Sequence, residues 1–145
     1  MATQRPPSGC PIDSALRHLG DPWSLLIIRD AMFVGKRHYG EFLASPEGIS
    51  TKVLAQRLKA LVAEGILTKR PHPSNRVKTV YRLTRKGIDL LPIVVEMAAW
   101  STRHVCGVDP DAGHMPEIRR DKRAFVEATR RRLEAEIEAE EGEEG

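Results

Sequence analysis

Two cysteines in 145 residues, Cys10 and Cys106, are too few for a disulfide framework, and their separation offers no zinc-ligand pair. A reducing cytoplasm is the expected setting. No apolar run approaches the roughly 20 residues that span a membrane. The stretch from Met1 to Asp13 is polar and proline-bearing, without the apolar segment of a signal peptide. Also missing are a glycine-rich phosphate loop, a nucleophile motif and a carboxylate pair in a defined setting. Of the five histidines only His104 has a thiol close by, at Cys106, and a two-residue gap on a helix points the side chains apart. Enzyme chemistry, a resident cofactor and a metal site are therefore not expected.

What is present is basic charge, unevenly placed. The net charge is +3, but residues 134–145 hold seven Glu and no Lys or Arg; the remaining 133 residues carry 23 basic against 13 acidic groups, a net of +10. That balance suits a polyanion partner, although a merely solubilising surface has the same composition, so placement must decide. The length fits one core. A natural division is a domain over 1–106, a linker over 107–116 and a charged C-terminal helix with an acidic tail over 117–145. The linker holds two prolines, two glycines and two aspartates.

Local signals give an element order. A short helix runs from Pro11 to about Leu19, anchored by the stripe Ile12, Ala15, Leu16 and Leu19. The next starts with Asp21 as cap and Pro22 as first helical residue and runs to about Val34, where Gly35 ends it; apolar nearly all round, it is the central core helix. A short helix over 38–44 and a turn at 45–48 follow. Ser50 then caps a helix, Ile49 can staple onto Leu54, and Gly65-Ile66 stops it. Residues 66–70 and 77–83 read as a β-hairpin around a turn at His72 to Arg76. Thr84 caps a long helix to about Val105, bent by Pro92, and Glu117 to Glu141 reads as a further charged helix that frays into its acidic end.

This order is that of a winged helix-turn-helix: an α+β fold, mainly α, with a two-stranded wing and terminal dimerisation helices. On the capped helix, Leu54, Leu61 and Val62 lie within about 60° of Leu58, whereas Lys52, Gln56 and Lys59 fall on the far side. The far face suits DNA: Gln56 can pair with adenine, Lys52 with guanine or phosphate, and Ser50 and Thr51 with phosphates beside the helix N-terminus. Arg57 lies at the edge between the faces. In the wing, Arg70, Arg76 and Lys78 are placed to meet the backbone or minor groove. An ordinary amphipathic surface helix would share the pattern; the basic hairpin after it shifts the balance toward double-stranded DNA. The two stripes of the long helix, Ile88, Leu91, Val95, Ala98 and Val105 beside Leu90, Val94, Met97 and Ser101, exceed what one small domain must cover and point to a homodimer. The alternative is a winged-helix protein-interaction module without specific DNA binding. Cys10 sits near a helix N-cap, where free amides favour a thiolate, while Asp13 opposes it; the thiol is either reactive or inert.

The residues from Cys10 to His104 closely resemble the HxlR family of winged-helix regulators. The resemblance rests on Cys10-Pro11, Gly20-Asp21-Pro22-Trp23-Ser24 with Leu26 and Arg29, Arg37 with Glu41-Phe42, Ile49-Ser50-x-Lys52-x-Leu54-x-Gln56-Arg57-Leu58, Gly65-Ile66, Tyr81-x-Leu83-Thr84-x-x-Gly87 and Trp100. It implies a bacterial repressor or activator, dimeric through its terminal helices, often responding to a small molecule or reactive electrophile; in some relatives the cysteine matching Cys10 is the redox sensor. The chain departs from the family at Val80, where an acidic residue is usual, and in extending beyond Gly107.

Overall fold

The structure is a computed structural model that describes residues 5–144, and the capping signals set most of its element boundaries. Helix α1 spans Pro11–Leu19, with Cys10 in extended conformation before it. Its apolar stripe is not anchored as expected: Ile12 is 72% and Leu16 56% exposed, and of the stripe only Leu19 reaches the core. The helix is held to the rest of the domain by Leu19 and by a surface pair, His18 with Glu64 at 3.1 Å.

Asp21 does cap the second helix, accepting from the amides of Trp23 and Ser24 (3.0 and 2.9 Å) and from the Ser24 hydroxyl (2.6 Å). Regular winding therefore begins later than at Pro22: α2 spans Ser24–Arg29, and Asp30–Val34 continue as a π-helical turn that Gly35 ends at φ +78°. Ile27, Ile28, Ala31 and Met32 fill the core. The polar break in this coat is a closed network. Buried Asp30 accepts from Arg29 (2.8 Å), Lys36 (3.1 Å) and the Ser45 hydroxyl, and Arg29 makes two bonds to Glu47. A carboxylate this deep is tolerable only when paired, and the pairing fixes the 45–47 turn to the helix.

Helix α3 (Tyr39–Leu43) is followed by α4 (Thr51–Ala63), whose two ends match expectation. Ser50 Oγ accepts from the Val53 amide at 3.2 Å, Ile49 and Leu54 are both buried, and the Ile66 amide donates to Leu61 O past Gly65 at φ +72°. Strands β1 (Leu67–Pro71) and β2 (Thr79–Leu83) pair antiparallel, Leu67 opposite Leu83 and Pro71 opposite Thr79. Both begin later than expected, because Ile66 belongs to the helix stop and His72 to Lys78 form a loop closed by a 2.8 Å backbone bond.

Thr84 caps as expected, but only α5, Arg85–Ile88. Chain direction changes at Asp89-Leu90, and α6 (Leu91–His104) carries Pro92 in its first turn, so this proline opens a helix instead of bending one. The first stripe is core at Ile88, Leu91 and Val95, whereas Ile93, Met97 and Trp100 are exposed. The C-terminal segment is two helices, α7 (Met115–Arg120) and α8 (Lys122–Glu143), broken at Asp121, which caps α8. The first starts before Glu117 because Met115 and Ile118 are buried, in the same core as Leu133 of α8. No helix among the described residues is long and apolar enough to cross a membrane.

Candidate nucleic-acid interface

Helix α4 turns Leu54, Leu58 and Leu61 inward, which leaves Thr51, Lys52, Gln56 and Lys59 exposed over about 12 Å of its length. Ser50 is also exposed, its hydroxyl engaged in the cap. The N-terminus of α4 is braced by α3, since Tyr39 Oη donates to Thr51 O at 3.1 Å. Arg57 is half-buried and faces Asp21, the α2 cap, at 3.4 Å. That pairing bridges two segments distant in sequence, which no local pattern contains.

The hairpin carries the other basic residues. Arg76 and Lys78 are exposed in the loop, where Val77 between them is 95% exposed, an apolar tip the sequence reading did not single out. His38, whose Nδ1 lies 3.1 Å from Thr79 O, stands beside His72 with ring centroids 5.8 Å apart, steadying the loop from α3. Arg70, expected beside these cations, pairs with Glu140 of α8 (3.4 Å) and with Glu144 just past its end (2.6 Å). Arg82 and Arg85, also unremarked in sequence, meet Glu140 and Glu141 at 3.4 and 3.0 Å. Among the described residues no group of His, Cys, Asp and Glu could hold a metal ion.

Away from this face, Cys10 is exposed at the N-terminus of α1. The backbone amides of Asp13 and Ile12 in the first turn of the helix lower its pKa from the ordinary thiol value. The repulsion expected from Asp13 is offset, because that carboxylate is turned onto Arg5, Ser8 and Arg17, and the Arg5 pairing above all holds it well below the usual carboxylate range. Between α2 and α6 lies an apolar groove of about 940 Å³, lined by Leu25, Leu26, Ile93, Val94, Met97 and Trp100.

The HxlR-like helix-turn-helix family profile matches residues 18–108. An uncharacterised HTH-type transcriptional regulator of Synechocystis is 34% identical over 88 residues, 61% of this chain and 64% of that one. The HTH-type transcriptional regulator YodB of Bacillus subtilis is 38% identical over 93 residues, 63% of this chain and 82% of its own. Its reduced form superposes with a TM-score of 0.56 at 33% identity, covering 69% of this chain and 98% of YodB. The redox regulator HypR, in its oxidised form, gives 0.56 at 31% identity over 66% and 97%. The chain spans about three-fifths of the length of the first curated relatives it matches. With the profile covering well over half of its residues and the winged helix in place, the chain belongs to the HxlR-like helix-turn-helix family.

Proposed function

We propose that the protein is a transcriptional regulator that binds double-stranded DNA sequence-specifically as a homodimer. The observation that carries this reading is the α4 face, where Thr51, Lys52, Gln56 and Lys59 stand exposed on a helix fixed at both ends, with the basic loop of the hairpin following it. In this reading α4 enters the major groove, Gln56 reads a base edge, and Ser50, Thr51 and Lys52 meet phosphates. Arg76 and Lys78 hold the flanking backbone, and Val77 touches the minor-groove wall. The comparisons support the class, since the relatives are HTH-type transcriptional regulators.

The homodimer is supported by apolar surface that the chain leaves uncovered: Ile12 and Leu16 on α1, and Ile93, Met97 and Trp100 (61% exposed) on α6. A second copy would cover both sets around the α2–α6 groove. Control by a small molecule or reactive electrophile is read at Cys10, whose exposed thiol and lowered pKa favour the nucleophilic thiolate. YodB and HypR, the latter a redox regulator, are consistent with that assignment. Selection of bound duplexes from a random pool tests the function: the expected product is a palindrome with half-sites about 34–36 Å apart, or a multiple. Recovery of unenriched sequence would leave a protein-interaction module as the reading.

A further inference from the structure

The C-terminal end of α8 reaches the hairpin through ion pairs, and the chemistry of the helix changes along its length. Leu133 is buried, Glu136, Ile137 and Glu140 are partly so, and Glu141 and Glu144 beyond them are exposed. Glu136 meets Arg37 at 2.6 Å, and Arg37 is mostly buried, with further bonds to Ala31 O and Lys36 O, which makes this pair the fixed anchor. The other three glutamates meet Arg70, Arg82 and Arg85, all partly exposed. By strand alternation Arg70, Val80 and Arg82 share the outer face of the hairpin, opposite the face of Leu67, Tyr81 and Leu83 that closes the core. Val80 is buried on that outer face, the face on which Arg70 and Arg82 meet the segment beyond Gly107.

The end of α8 is a poor helix in its own right. Its last turns hold Glu140, Glu141 and Glu143, with Glu144 following, at the negative end of the helix dipole; Gly142 lies among them and no basic residue is present. What holds it is the row of arginines. We propose that Arg70, Arg82 and Arg85 form a phosphate-binding track leading from the hairpin loop, occupied in the free protein by the carboxylates of α8 as a built-in competitor of DNA. The inference rests on the DNA-binding reading above. Backbone phosphates and the α8 carboxylates are alternative acceptors for the same guanidinium groups, so DNA displaces Glu140, Glu141 and Glu144, and the turns beyond Glu138 unwind on release.

An exposed ion pair favours its closed state by a factor of only about 1.4–5, so the competitor is weak enough to yield and strong enough to measure. The test compares, in the full-length chain, the triple variant Glu140→Gln, Glu141→Gln, Glu144→Gln with the charge-matched triple Glu134→Gln, Glu138→Gln, Glu143→Gln, which removes the 3.9 Å pair of Glu134 with Arg130 but leaves the ion pairs of Arg70, Arg82 and Arg85 intact. The first is expected to bind duplex DNA about three- to tenfold tighter than wild type and to steepen the log affinity against log salt slope by about one to two units; the second should shift affinity by less than about twofold. Amide exchange over residues 138–144 of wild type should accelerate when duplex is added. Equal gains in both variants would reduce the effect to net charge, and unchanged or weaker binding in the first would make α8 a support for the wing; either overturns the proposal. If wild type ignores duplex altogether the DNA reading falls. Heparin then probes the track separately, and unaltered exchange at 138–144 in its presence removes the track too.

Discussion

Replacing Met97 by Glu tests the dimer where the fold itself is least disturbed. Met97 is 52% exposed on α6, whereas neighbouring Val94 packs partly against the chain's own core, where a charge would unfold the domain and separate the subunits alike. Covering the exposed half of a methionine contributes about 1 kcal/mol of the 1.5–3 kcal/mol for full burial. A carboxylate in its place loses that contribution and adds about 1–2 kcal/mol for desolvation without a partner, after discounting for partial hydration. Two-fold symmetry applies the change twice, so about 4–6 kcal/mol is lost per dimer, three to four decades in dissociation constant. Sedimentation velocity at micromolar concentration should show wild-type dimer and variant monomer, with thermal melting of the monomer fold within about 0.5 kcal/mol of its reference. A variant that sediments as wild type, or a wild type that is a folded monomer at these concentrations, refutes the argument.

Gln56→Ala is expected to cost about 1–3 kcal/mol on the selected operator and to relax preference at one base position; an unaltered selection profile would mean that α4 docks differently. Lys52→Ala and Arg76→Ala should weaken binding to every duplex and lower the salt slope by about one unit each, as read by titrations at several ionic strengths. Asp30→Ala leaves Arg29 and Lys36 without their shared buried partner; urea unfolding should show about 3–5 kcal/mol lost, a value the measurement contradicts if it stays under 1 kcal/mol. Because the Cys10 pKa is lowered, its thiolate is present at lower pH than in an unfolded chain. Its alkylation rate should rise with pH to a midpoint below the usual value of about 8.5, and diamide should change operator affinity in wild type but not in Cys10→Ser.

Where structure is set by neighbours in sequence, it was legible. Ser50 with Val53, Gly65 with Ile66, and Thr84 with Gly87 are contacts within a turn, and each was readable from residue type alone. Reading failed where distant groups decide. Pro92 fits a bend or a first turn equally well in sequence, and the packing of Leu91 and Val95 chose the latter. The stripe on α1 looks like any core stripe, since periodicity says that a face is apolar without saying what covers it. At the site, the exposure of Lys52 and Gln56 follows from helical spacing. The capture of Arg57 by Asp21 and of Arg70 by Glu140 and Glu144 depends on tertiary approach.

The root of the hairpin has a mechanical meaning. Thr84 donates its amide to Ile66 O at 3.0 Å, Lys86 reaches Glu64 O at 2.6 Å, and Gly87 sits so close to the strand that a Cβ there would come within 2.4 Å of Ile66 O. The hairpin is thus a lever clamped where β1 and α5 meet, with its loop at residues 72–78 steadied from the other side by His38. Since only Asp89 and Leu90 separate α5 from α6, in the proposed dimer a tilt of α6 would be passed through that clamp to the hairpin. In the proposed dimer the distance between the two levers would work as a calliper, set by how α6 of one copy meets its mate.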